Sequence, residues 1–284
     1  MRSARCCCSP PHPASSRWQR SRRSLCWRTS ARCTSRIWGA KPMRKPTLSP
    51  TRIQTYLTCR VKYYWAYLSP LGRRFRRPNP ALALGANLHR VLQLFHQLGG
   101  VETFSREQVA HALETLWSAE GFETAEQSEA HKQLGHALIA NYYERQSAQP
   151  SPARTLFTEK LLRMDRGDYL LVGRLDRVDE HPNGALEIID YKSQRQVVTE
   201  EQVANDLALY CYALLLQHHY PDRPLLISIY ALQAGEKATV AITPDQLREF
   251  ARLLDDIAQQ ILHTDFEPLQ PAPIPHCEVC EYLP

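Results

Sequence analysis

Residues 173–192 read GRLDRVDEHPNGALEIIDYK, and the fold turns on this stretch. Tyr169 to Val178 is rich in Leu, Val and Tyr and reads as a β-strand carrying Asp176. Asn183-Gly184 supplies the positive-φ residues of a tight hairpin turn. A second strand, Ala185 to Tyr191, runs into Asp190-Tyr191-Lys192. Side chains alternate along a strand, so Leu186, Ile188, Asp190 and Lys192 share one face. The aliphatic pair anchors that face and leaves a carboxylate and an ammonium together at the strand's end. Two aspartates on paired strands, with a lysine two residues on, can hold a hard divalent cation beside an amine. The plain alternative is a strand whose charged end emerges into solvent, since Asp-x-Lys is a common tripeptide.

Outward from the hairpin, Thr155 to Met164 alternates as a strand before it. After it, Gln202 to His219 has helical spacing, followed by strands over Leu225 to Leu232 and Lys237 to Ile242. Thr243-Pro244-Asp245-Gln246 caps a last helix to about Ile261. Toward the N-terminus, Pro150-Ser151-Pro152 breaks a helical region. In that region Ser105-x-x-Gln108 and Thr124-x-x-Gln127 read as capping boxes, and Gly85 to Leu98 carries Leu88, Val91, Leu92 and Phe95 on one stripe. Ser49-Pro50 opens a helix running toward Cys59. The order predicts an α/β fold: a small central mixed sheet flanked by helices, with an N-terminal helical lobe. Residues 47–150 are expected to be mainly helical, 151–262 an α/β core, and 263–284 a cysteine-bearing tail.

The net charge of +6 is misleading as a guide to partners. Of 35 Lys/Arg, twelve lie within residues 1–46, which hold no Asp or Glu, leaving 23 basic against 29 acidic residues elsewhere. That leader also holds five of the nine cysteines, including Cys6-Cys7-Cys8, and has no hydrophobic periodicity. It is expected to be disordered and non-native, a translated upstream segment ahead of a true start at Met43. No apolar run approaches the ~20 residues of a membrane-spanning helix. The body's four cysteines, Cys59, Cys211, Cys277 and Cys280, do not make a secreted disulfide framework, which points to the cytoplasm.

Three further residues stand at suggestive places. His89 borders the apolar helical stripe, Glu159 sits mid-strand in LFTEKLL, and Tyr210 follows Asp206 on a mostly apolar helix. Taken singly, each has an ordinary reading as a packed or solvated side chain. Taken together with the hairpin, LSPTRIQTYLTC, GANLH, GRLDRVD, IIDYKS, LALYCYAL and PHCEVC, they give residues 47–284 a resemblance to the PD-(D/E)XK nuclease superfamily. The resemblance is to its RecB-like exonuclease branch, which includes the AddB-type and CRISPR-associated iron–sulfur nucleases.

The resemblance implies a restriction-endonuclease-like fold and a metal-dependent DNA nuclease. Asp176 and Asp190 would bind Mg²⁺ or Mn²⁺ with His89 and the Tyr191 carbonyl. Lys192 would orient the attacking water, Glu159 would be an accessory acid, and Tyr210 would touch the substrate strand or brace the lysine. Asp206 stands where the family usually has glutamine, which puts its own role in question. The resemblance also implies a 4Fe–4S cluster on Cys59, Cys277 and Cys280, with the fourth cysteine expected two residues beyond Pro284, on a truncated chain. A stray Cys-x-x-Cys pair, or zinc with His276, is the alternative.

Arg60, Lys62, Arg73, Arg74, Arg76 and Arg77 interleave with Tyr63, Tyr64 and Trp65, which suits phosphate contacts and base stacking. A solvated loop beside a core helix would look the same. The expected activity is hydrolysis of DNA ends or single strands in repair or recombination, alone or with a separate helicase subunit. A non-catalytic DNA-end-binding module, a fragment of a helicase–nuclease, or a hydrolase of another substrate are the competing readings.

Overall fold

The computed structural model describes residues 45–193, 196–266, 269 and 275–282. The leader expected over 1–46 lies outside them except for its last two residues.

The strands are β1 (Thr47–Leu48), β2 (Arg154–Asp165), β3 (Leu170–Glu180), β4 (Leu186–Lys192), β5 (Leu225–Ala231) and β6 (Glu236–Ile242). The helices among the described residues are α1 (Pro50–Thr58), α2 (Arg60–Tyr63), α3 (Gly72–Phe75), α4 (Pro80–Gln97), α5 (Arg106–Leu116), α6 (Ala125–Ala148), α7 (Glu200–Ala204), α8 (Leu207–His219) and α9 (Pro244–His263).

β3 and β4 form the hairpin, antiparallel, with Val178 opposite Ile188 and Glu180 opposite Leu186. Its turn is wider than a two-residue connection. Only Gly184 takes a positive φ, +85°, and the His181 N–H closes the loop onto the Ala185 carbonyl at 2.9 Å. β2 runs antiparallel along β3, β5 lies parallel to β4, and β6 is antiparallel to β5. The sheet is therefore mixed.

Alternation on β4 divides the core. Leu186 and Ile188 pack with residues of α1, α8 and α9, while Ile189 and Tyr191 pack with residues of α4, α5 and α6. Each fully buried aliphatic side chain of this kind contributes about 1.5–3 kcal/mol.

Capping explains most helix starts. Ser105 and Thr243 form reciprocal boxes with Gln108 and Gln246. α4 begins earlier than Gly85, because Asn79 caps it and Pro80 takes the first helical position. The helix expected over Gln202 to His219 is two helices. The Asp206 side chain accepts the Leu209 N–H at 2.9 Å and starts α8 afresh after the Asn205 cap of α7.

Candidate metal centre

The site is built where β3 forks away from β4. β4 pairs with β3 only over Arg177 to Glu180, and β1 pairs with Leu170 and Leu171 near the other end. The Tyr191 N–H of β4 is taken instead by Asp176 Oδ2 at 3.0 Å. The Tyr191 carbonyl meets His89 Nε2 at 3.3 Å.

Opposite Asp176 on β2 stands Glu159, with φ +48°. For a residue other than glycine that conformation costs about 1–3 kcal/mol and needs support from its surroundings. Both strands change phase here. Leu175 and Val178 belong to the same core, as do Phe157 and Leu162, although odd spacings belong on opposite faces of a regular strand. The irregularity brings Glu159 and Asp176 to one histidine. His89 Nδ1 lies 3.1 Å from Glu159 Oε1 and 3.4 Å from Asp176 Oδ1.

Among the described residues, His89, Glu159 and Asp176 have ligand atoms within 4.8 Å of one another. Asp190 and Lys192 line the same cleft, a hollow of about 630 Å³. Lys192 Nζ is 2.6 Å from Asp190 Oδ2, an ion pair on an otherwise unpartnered buried oxygen.

The charges follow from the geometry. Both ring nitrogens of His89 face oxygen acceptors, so both carry protons. Burial alone would lower its pKa, but the hydrogen bonds and charges of Asp176 and Glu159 prevail and hold it at about 10. Burial pushes the Asp190 carboxyl up to about 6; Lys192 opposes the rise and the charge of Asp176 adds to it. Lys192 is held above its ordinary value: burial works against its charge, and Asp190 outweighs that.

The donor set fits a hard divalent cation. It offers the carboxylates of Glu159 and Asp176 and the Nδ1 of one imidazole, next to the buried Asp190 carboxylate, while the Tyr191 carbonyl stands on the Nε2 side of the ring. An imidazole ligand suits Mn²⁺ better than Mg²⁺. The imidazolium proton holds the place that such an ion would take.

The other expected residues fall elsewhere. Tyr210 packs its ring on Phe250, 5.1 Å between centroids, and Tyr212 lines the cleft instead. Asp206 caps α8 and borders a neighbouring hollow together with Lys192. Arg60 lies over the Tyr56 ring, and Lys62 binds Glu281 at 2.8 Å and His276 at 3.1 Å. Arg73 and Arg74 are exposed on α3. Tyr63 is buried against Tyr56, Tyr67 and Phe266, so it is a core residue rather than a stacking platform.

The expectation of an iron–sulfur cluster is corrected. Cys59, Cys277 and Cys280 form no converging ligand group among the described residues. The Cys59 sulfur accepts the Lys62 N–H at 3.4 Å, and the Cys280 N–H turns back onto the Cys277 carbonyl at 3.2 Å. The tail is held to α2 by Lys62.

Arg174, on the cleft wall, and the buried pair Arg177 and Asp179 are not among the residues expected from the sequence. Arg177 is buried, forks onto Asp179, and donates to His96 Nε2 (2.8 Å), Tyr142 (3.0 Å) and the Tyr191 hydroxyl (3.2 Å). Tyr191 is thus pinned at its ring while its main chain faces the acids. The signal was present in GRLDRVD, whose second half carries Arg177 and Asp179.

A family model of the PD-(D/E)XK nuclease superfamily matches residues 47–284. The chain belongs to the PD-(D/E)XK nuclease superfamily. Its six-stranded mixed sheet flanked by helices has the restriction-endonuclease-like architecture expected of that family. Among solved structures, the chain is similar to a "putative exonuclease" from Eubacterium rectale, at 13% identity and TM-score 0.46, covering 88% of this chain and 98% of that one. It is also similar to SSO0001, at 14% identity and TM-score 0.29, covering 78% of each chain. Neither likeness is close enough to bear on function. No curated protein matches the chain.

Proposed function

We propose that this protein is a metal-dependent DNA nuclease of the RecB-like type, digesting DNA ends or single strands in repair or recombination. The observation that carries the reading is the meeting of His89, Glu159 and Asp176 beside Asp190 and Lys192, in one cleft of a nuclease-family domain. Asp176, Glu159 and Asp190, with His89 Nδ1 once deprotonated, would hold Mg²⁺ or Mn²⁺; the Tyr191 carbonyl would orient the ring from its Nε2 side. When bound, such an ion lowers the pKa of water and stabilises the oxyanion-rich transition state.

The remaining chemistry belongs to the chain. Lys192 Nζ, fixed by Asp190, orients the attacking water and balances charge on the phosphate. Arg174 faces the same cleft and takes a non-bridging phosphate oxygen. Tyr212 lines the same cleft and braces the strand. The protein acts in the cytoplasm, where its free thiols stay reduced, alone or beside a separate helicase subunit. No helix among the described residues is long and apolar enough to cross a membrane.

The test is hydrolysis of labelled single- and double-stranded DNA with Mg²⁺ or Mn²⁺. Asp190→Ala and Lys192→Ala are expected to lower the rate by about 10²-fold or more. Variants as fast as wild type would place the activity elsewhere.

A further inference from the structure

Charge is spread unevenly along the chain, and one aromatic ring stands where the positive part concentrates. Residues 47–101 hold eight Lys/Arg and no Asp or Glu, whereas 102–284 hold fifteen Lys/Arg and 29 Asp/Glu. Glu159, Asp176 and Asp190 belong to the acidic part, so without a cation their cleft repels a phosphate chain. An anionic polymer has to be gripped from the basic part.

Four of these cations surround one phenyl ring in the run Arg73-Arg74-Phe75-Arg76-Arg77. All four are exposed, and none forms an ion pair among the described residues. Phe75 is the one Phe, Tyr or Trp among the described residues whose side chain is exposed, at 57%. A single exposed apolar side chain is ordinary. A ring left open inside a cluster of unpaired arginines is the composition of a single-strand grip.

The ring is also held in place. It meets Trp65 edge to face, 5.7 Å between centroids, and Trp65 meets Tyr64 in the same way. Trp65 and Tyr64 lie on a π-helical turn, Tyr64–Leu68, an irregularity frequent at functional sites. α3 rests directly on that turn. A Cβ on Gly72 would strike the Trp65 carbonyl, so only glycine lets the segment carrying Phe75 settle there. The cluster stands beside the metal centre. Leu82, Ala86 and Arg90 border the hollow of His89 and Asp176, and they border also the hollow edged by Arg73, Arg76 and Arg77. Glu120 is the one carboxylate among the residues bordering the latter.

The geometry points to Phe75 as a stacking platform for an unpaired base of single-stranded DNA, with the flanking arginines on the neighbouring phosphates. This rests on the nuclease reading above and adds a residue that selects strand state. In a duplex the base faces are covered by their neighbours, whereas in a single strand they are free to take a ring. Phe75 therefore favours single strands, while the arginines, which meet phosphate alone, hold both forms.

The test titrates the full chain in EDTA, where no cutting occurs, with three labelled ligands of one length: oligodeoxythymidylate, its abasic counterpart and a duplex. Phe75→Ala is expected to weaken binding of the thymidylate about 5- to 100-fold and to shrink the preference over duplex by a similar factor. Phe75→Trp is expected to keep both. The abasic strand, which has phosphates but no bases, should not distinguish Phe75→Ala from wild type. Arg73→Ala/Arg76→Ala should instead lower the slope of log K against log[salt] on single strands by about 1.4. An unchanged thymidylate affinity in Phe75→Ala overturns the platform and leaves the ring to a protein partner; an equal loss on the abasic strand overturns it too. The same thymidylate offered with Mn²⁺ separates the two readings. Cleavage by wild type, with thymidylate affinity unmoved in Phe75→Ala, overturns the platform and leaves the nuclease reading standing. No cleavage of any strand by wild type overturns the nuclease reading and this one with it.

Discussion

His89 meets oxygen at both ring nitrogens, and the consequence is a pH dependence with a definite sign. Its pKa is raised to about 10, so its stabilising charge contacts are complete below the ordinary value of 6.5 and are lost as pH rises through 10. Asp190 is raised from 3.8 to about 6, so the favourable state is the protonated one, and stability falls as pH climbs through that window. Both trends make the metal-free protein more stable near about pH 5 than near about pH 8. On the proposed function, Mn²⁺ bound there would displace the His89 proton and offset the Asp190 charge, so its gain in Tm should be larger at the higher pH. Thermal melts with and without Mn²⁺ check this; an equal gain at both pH values would mean that no proton leaves on binding. At this scale Asp190 and Lys192 are legible directly, because strand alternation places them on one side of β4; Asp176 is legible as a β3 acid, but its turn toward His89 comes from the phase change in β3. Glu159 reads only as an accessory acid. It joins the trio through a left-handed backbone at +48°, and no pattern of side chains announces that. Tyr212 is missed for a related reason: on an apolar helix, spacing alone does not say which of two tyrosines faces the cleft.

The hairpin is held from below by charge as well as by its aliphatic faces. Arg177 and Asp179 are both buried, and Thr155 adds a hydrogen bond to Asp179 Oδ1 at 3.0 Å. Removing one member leaves an uncompensated buried charge. Asp179→Ala should therefore destabilise the fold by about 3–5 kcal/mol in urea unfolding, whereas replacing both with apolar residues of similar volume should cost much less. A loss below about 1 kcal/mol for Asp179→Ala would show that the guanidinium finds water instead. Because the Tyr191 ring is bonded to the same guanidinium, the single variant should also loosen Mn²⁺ binding. Element types are largely legible here, since periodicity and caps such as Ser105 and Thr243 are local signals. The break between α7 and α8 and the early start of α4 depend on Asn205-Asp206 and Asn79-Pro80, short polar caps inside apolar or Pro-rich runs, which hydrophobic spacing passes over.

At the scale of the whole chain, the beginning and end of the described fold meet through Lys62, which ties α2 to Glu281 and His276. The Arg77 N–H adds a bond to the Glu281 carbonyl at 3.0 Å. Lys62→Ala should release residues 275–282, seen as faster hydrogen exchange there with little change in β3 and β4; unchanged exchange would show that the backbone bond suffices. Cysteine spacing leads the sequence reading toward a cluster at this junction. The junction itself is legible, but its chemistry is an ion pair and not a sulfur cage, because thiol spacing says nothing about which neighbouring charges will meet. On the proposed function, three side chains from α4, β2 and β3, joined by Asp190, hold one catalytic cation. Anomalous diffraction from crystals grown with Mn²⁺ tests it most directly. One strong peak is expected between His89, Glu159 and Asp176, within coordination distance of Asp190 or its water. A peak elsewhere, or none there in a protein that still cleaves DNA, would contradict it.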